Sequence, residues 1–214
     1  MILEMIHICF EFLSLTIAFI SYPRLKNTFM VYFIPFLVIL ILSEITAWYA
    51  SNTVLLYSIL NPLTHCFYAF IFYNYATSKK QRRIFIRLAA IYCLICILGR
   101  FNDDAEYSYF YYLIASGGLM QVYFSCTFFY QYITSSDLVQ MKAWDSGLWM
   151  ASGLLIFYSA VSICFSLHGY IKENELRIFN LYLYHIIPRV LSPILYSCLC
   201  VSFLLWKNSK EISL

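Results

Sequence analysis

The chain has 214 residues, 62% of them apolar and only 12% charged, against roughly 25% charged in an ordinary soluble domain. Its formal net charge of +3 is too small to draw nucleic acid to its surface. Composition therefore excludes a water-solvated globular domain and a nucleic-acid binder, and makes lipid the main solvent.

Seven apolar stretches follow one another, at residues 2–21, 28–50, 53–76, 84–99, 109–132, 147–168 and 178–206. Each approaches the roughly 20 residues with which a helix crosses a hydrocarbon layer about 30 Å thick. Only a helix or a closed barrel satisfies its backbone there. The first stretch lacks a basic leader and a small-residue cleavage pattern, so it reads as a retained helix. Ser51 and Asn52 alone separate the second from the third, which predicts a tight hairpin. The fourth is short and flanked by Arg83, Arg87 and Arg100, whose long side chains can reach the headgroups. The expectation is an all-α integral membrane protein, one domain over 1–214, folded as a seven-transmembrane-helix bundle.

Ten basic residues fall on one side: Arg24, Lys26, Lys79, Lys80, Arg82, Arg83, Arg87, Lys142, Lys207 and Lys210. The other side carries Arg100, Lys172 and Arg177, beside Asp103, Asp104, Glu106, Glu173 and Glu175. The positive-inside rule puts the basic side in the cytoplasm, hence the N-terminus outside and the C-terminus inside. The Lys79 to Arg83 run suits anionic lipid, or a partner docking there with the 134–146 connector. All eight cysteines lie in apolar stretches and read as small hydrophobes, including Cys93-x-x-Cys96.

The stretches Leu60 to Arg83, LNPLTHCFYAFIFYNYATSKKQRR, and Ala143 to Ser162, AWDSGLWMASGLLIFYSAVS, with Ser43-Glu44, resemble parts of small seven-helix hypothetical proteins of Bacteroidota. The pattern departs from theirs at Pro62 and His65. The resemblance implies a bacterial inner-membrane protein and brings no catalytic residue with it. A second pattern is internal: Leu60-Asn61-Pro62-Leu63 echoes Leu191-Ser192-Pro193-Ile194. That echo suggests three helices, a linker helix and three more, the parallel-repeat plan of SWEET-type transporters.

Polar groups at depth are costly and normally face the bundle interior. Counting about 1.5 Å per residue from the outer ends puts Glu11 and Arg189 both roughly 15 Å deep, which predicts an ion pair between the first and seventh helices. Glu4, His7, Glu11 and Ser14 share one helical face, as do Asn61, His65 and Tyr68, and His185, Arg189, Ser192 and Tyr196. With Glu44 and Gln121 they outline a pocket open to the outer side. Its ligand-binding residues are Glu11, Glu44, Asn61, His65, Gln121, His185 and Arg189; the competing reading is interhelical hydrogen bonding.

Retinal chemistry would need a mid-membrane lysine on the last helix, where Lys207 is terminal. A zinc hydrolase resembling alkaline ceramidase would need a second histidine where Arg189 follows His185. No cofactor and no metal are expected. The partners are the lipid bilayer, a small-molecule ligand and, for a sensor, a cytoplasmic or membrane signalling protein. A sensor or receptor-like module ranks first, a small-solute transporter or channel second, and an intramembrane enzyme third, for want of a recognisable catalytic set.

Overall fold

Lipid offers the backbone no hydrogen-bonding partner, and the chain satisfies itself with helices almost throughout. The computed structural model describes residues 2–49, 53–100, 108–134, 138–178 and 181–206, and their side chains except those of 2–4, 54, 100, 108 and 138–143. In order these form α1 (Ile2–Ile20), the short α2 (Tyr22–Leu25), a 3₁₀ turn (Phe29–Tyr32), α3 (Phe33–Tyr49), α4 (Thr53–Tyr75) and α5 (Lys79–Arg100). Then come α6 (Ser108–Thr134), α7 (Leu138–Ser166), α8 (His168–Glu173), the antiparallel strands β1 (Arg177–Ile178) and β2 (Leu181–Tyr182), and α9 (Leu183–Leu205).

Five segments are long and apolar enough to cross a membrane: Phe29–Tyr49, Leu55–Tyr75, Tyr109–Thr134, Trp144–Ser166 and Leu183–Leu205. The chain is thus an all-helical bundle of multi-pass membrane character. The first and fourth expected spans do not meet the same standard. In α1 the described side chains form an apolar stretch of Met5–Ile20, shorter than the five. Helix α5 has 22 residues, but its first half carries Lys79, Lys80, Arg82, Arg83 and Arg87.

Helix boundaries differ from the expected ones for local reasons. Helix α5 starts at Lys79 rather than residue 84, because Ser78 and Gln81 form a capping box. The Gln81 amide donates to Ser78 Oγ at 3.1 Å, and Gln81 Oε1 accepts from the Ser78 amide at 3.4 Å. Arg82 then donates from Nε to the Ala76 carbonyl at 3.0 Å and lies over the Tyr73 ring at 5.3 Å. The basic run is therefore a helical turn and not a loop. Likewise α7 begins at Leu138, so most of the expected 134–146 connector is helix. The last helix starts at Leu183 rather than residue 178, because Arg177 pairs with Tyr182 and Ile178 with Leu181 in the small hairpin.

Helices α1, α3, α4, α6, α7 and α9 pack side by side in chain order, and α9 closes back on α1. Helix α5 stands outside this ring, against α4 and α6. The tightest seams are α6 with α7 and α7 with α9. A Cβ on Gly153 of α7 would lie 2.7 Å from Cys198 Cβ on α9, so the absence of a side chain sets their approach. One turn and more below, Ser146 and Ser202 share a hydrogen bond of 3.0 Å across the same seam.

Buried rings fill the half of the ring that ends at the basic connectors. Phe33 meets Phe67 at 4.9 Å and Phe203 at 5.3 Å, while Phe29 meets Trp206 at 5.4 Å, all edge to face. Tyr75 closes on Phe128 at 5.1 Å. Each such pair contributes about 0.5–1.5 kcal/mol beyond its buried area. The other half of the ring is not filled.

Candidate functional site

At the end bounded by the α3–α4 hairpin and the α7–α9 connection, the ring encloses a cavity of about 600 Å³. All six ring helices line it, and none of the described side chains of α5 does. Helix α1 brings His7 and Glu11, α3 brings Glu44 and Trp48, and α4 brings Tyr57, Asn61 and His65. Phe110 and Tyr111 come from α6, Tyr158 and Phe165 from α7, and Tyr184, His185, Arg189, Ser192 and Tyr196 from α9. Six residues expected in a pocket, Glu11, Glu44, Asn61, His65, His185 and Arg189, thus line one cavity. Gln121 is not among the lining residues.

Glu11 is the innermost carboxylate, 2% exposed. The Tyr196 hydroxyl donates to its Oε1, and His7 Nε2 lies 3.2 Å from the same oxygen. Its Oε2 has no hydrogen-bonding partner among the described residues. The described contacts of Glu11 are therefore to His7 and Tyr196, not to the Arg189 that matching depth suggested. Depth arithmetic ignores azimuth, and the residue four positions back on the same helix was nearer. The side chain of Glu4 lies outside the described ones. Arg189 faces the same cavity.

On its other ring nitrogen, His7 Nδ1 lies 2.5 Å from Ser192 Oγ. Ser192 is placed by the prolines of α9. Pro193 has no amide to give the Arg189 carbonyl four residues back, and Ser192 Oγ reaches that carbonyl at 3.2 Å. Across the cavity, the Tyr57 hydroxyl lies 3.2 Å from both carboxylate oxygens of Glu44. This pair follows from the hairpin: a short connection sets side by side residues about one turn from it, Glu44 before the end of α3 and Tyr57 after the start of α4.

His65 is 2% exposed and closes the floor. Gln121 stands behind it, fully buried, donating from Nε2 to the His65 carbonyl at 3.0 Å. Gly117 makes room for the His65 ring, since a Cβ there would come within 2.5 Å of it. Tyr92 and Tyr158 flank the ring at 5.1 and 5.2 Å. At the mouth, His168 of α8 stacks on Tyr111 at 3.7 Å and meets Tyr184 at 4.8 Å. Desolvation there, helped by the Lys172 charge, holds the His168 imidazole below its ordinary value.

Sequence reading placed His7, Ser192 and Tyr196 on polar stripes without making them site residues; spacing gives the face of a helix but not what it meets. Tyr57 was missed, though the two-residue hairpin carried the signal. Among the described residues, no three His, Cys, Asp or Glu side chains converge as a metal centre requires. Cys93 faces Cys66 of α4, sulfur to sulfur 3.1 Å, on the lipid side of the ring away from the cavity. No family model, curated protein or solved structure matches the chain.

Proposed function

We propose that this chain is a receptor-like module of a bacterial inner membrane, which holds a small organic ligand in the cavity and passes helix movement to a cytoplasmic or membrane partner. The supporting observation is the division of the ring into two unlike halves. One half is a cavity of about 600 Å³ with polar groups from α1, α3, α4 and α9, within the 300–1,000 Å³ usual for small-molecule sites. The other half is closed by packed rings around Phe33, Phe128 and Phe203, which favours holding a ligand over passing it through.

In this reading all seven long helices span the bilayer. Helix α1, 19 residues long, spans beside α9 with slight local thinning of the bilayer, and α5 keeps its basic first turns at the cytoplasmic headgroups. The cavity then opens outward, at the less basic end. A reporter fused after Leu214 tests the orientation: a cytoplasmic fluorescent reporter is active there and periplasmic alkaline phosphatase is not. Phosphatase activity at that position reverses the chain and sinks the seven-span reading.

A small-solute transporter is the second reading. It draws support from α5, which stands outside a ring of two three-helix sets, α1–α3–α4 and α6–α7–α9, as a linker helix would in a parallel repeat. Saturable solute uptake into vesicles containing the purified protein would place it first.

A further inference from the structure

We propose that the cavity is also a site of acyl transfer, with Ser192 as nucleophile, His7 as general base and Glu11 as the group that orients His7, acting on small ester or thioester ligands. The inference rests on the reading of the cavity as a ligand site and gives that ligand a chemical class. Three residues from opposite ends of the chain meet in series. Ser192 Oγ is 2.5 Å from His7 Nδ1, and His7 Nε2 is 3.2 Å from Glu11 Oε1. All three line the cavity. In the productive arrangement the Glu11 carboxylate holds the imidazole proton at Nε2, Nδ1 is the lone pair, and the Ser192 hydroxyl turns from the Arg189 carbonyl to Nδ1. Tyr196 donates to Glu11 Oε1 as well and pins the carboxylate in place. Arg189 lies one turn before Ser192 on α9 and lines the same cavity, a positive charge beside the place where an oxyanion would form.

The chemistry balances without a cofactor or a redox partner. Ser192 Oγ adds to the ligand's carbonyl carbon while its proton passes to His7 Nδ1. The tetrahedral adduct collapses, the C–O or C–S bond breaks, and the leaving alkoxide or thiolate takes that proton from His7. Water then adds to the acyl carbon and gives a proton to Nδ1, the bond from that carbon to Ser192 Oγ breaks, Oγ takes the proton back from Nδ1, and a carboxylic acid leaves. Glu11 stays a carboxylate and is a positioning residue. Serine hydroxyls that merely tie helices together need neither an oriented base nor a cavity, and here both are present.

The test uses the full chain in lipid nanodiscs with a fluorophosphonate bearing a short alkyl chain, followed by peptide mass spectrometry. The expected result is one adduct, on Ser192, with hydrolysis of p-nitrophenyl butyrate that the adduct abolishes. His7→Gln keeps an acceptor for the serine hydroxyl but cannot carry its proton, so labelling of the folded variant should slow about 100-fold. Glu11→Gln should slow labelling too and alter its pH profile, a change that a purely structural carboxylate would not produce. Absence of an adduct on folded protein, an adduct on another serine, or His7→Gln labelled at the parent rate overturns the proposal. Asn61→Cys separates the two readings: if a membrane-impermeant maleimide reaches it while Ser192 stays silent, the ligand site stands and acyl transfer falls. If both stay silent, both fall.

Discussion

Gly153→Leu should lower stability in detergent by about 3 kcal/mol, the upper part of the usual cost of overpacking. At Gly153 even a Cβ would stand 2.7 Å from Cys198 Cβ and 3.3 Å from Leu195 Cδ1. The first of these is anchored to the α9 backbone, so no rotamer change relieves it and the two helices must separate. That seam carries both the aromatic packing below and the Ser192 side of the cavity above. Gly169→Ala is the control, since a Cβ there meets nothing within 4 Å; it should be neutral or gain up to about 1 kcal/mol from helix propensity. Adding Cys198→Gly to Gly153→Leu should recover part of the loss. A parent-like melting midpoint for Gly153→Leu alone would contradict the close approach of α7 and α9.

Tyr196→Phe should cost about 1–3 kcal/mol, the penalty for leaving a buried polar group short of its partner. Its hydroxyl is the only described donor to the Glu11 carboxylate other than His7, and Glu11 Oε2 already has none. Glu11→Leu alone strands the tyrosine hydroxyl instead. The double variant should therefore lose less than the sum, with a coupling of about 0.5–3 kcal/mol, as residues in one buried network show. Melting shifts that simply add would mean that α1 and α9 are not joined through these two groups.

The sequence carried much of this architecture because bilayer thickness sets helix length. Five expected spans match helices that are long and apolar enough, and six expected pocket residues line one cavity. Polar side chains in lipid leave few places for themselves, so shared helical faces at matched depth were sufficient to group Asn61 with His65, and His185 with Arg189. Partner identity was a different matter. Glu11 meets His7 on its own helix and Tyr196 185 positions away, and neither follows from depth. Gln121 shows the same limit: it supports His65 from behind rather than lining the cavity.

Local chemistry accounts for the shifted boundaries. Ser78-Lys79-Lys80-Gln81 has the form of a capping box, but the charge run drew it into a connector. At 177–182 the apolar Ile178, Leu181 and Tyr182 resembled a helix start, while a two-residue ladder wins there. The place of α5 outside the ring was hinted at only by the Leu60-Asn61-Pro62-Leu63 echo, which makes the fourth helix a linker, and not by hydropathy. Hydropathy ranks helices by their fitness for lipid and is silent on which of them surround a common space.

The central claim is that the half-empty end of the ring is a cavity reached from the less basic side of the membrane. Single cysteines at Asn61 and His185, in a background with the eight native cysteines replaced by alanine, measure this directly. A membrane-impermeant maleimide applied to sealed vesicles of known orientation should label both from the side of the α3–α4 hairpin and neither from the side of Lys79 and Arg82. A cysteine at Asn27 should show the opposite pattern. If the folded protein leaves Asn61→Cys and His185→Cys unlabelled from the hairpin side, the polar layer is interhelical packing and the cavity is no ligand site.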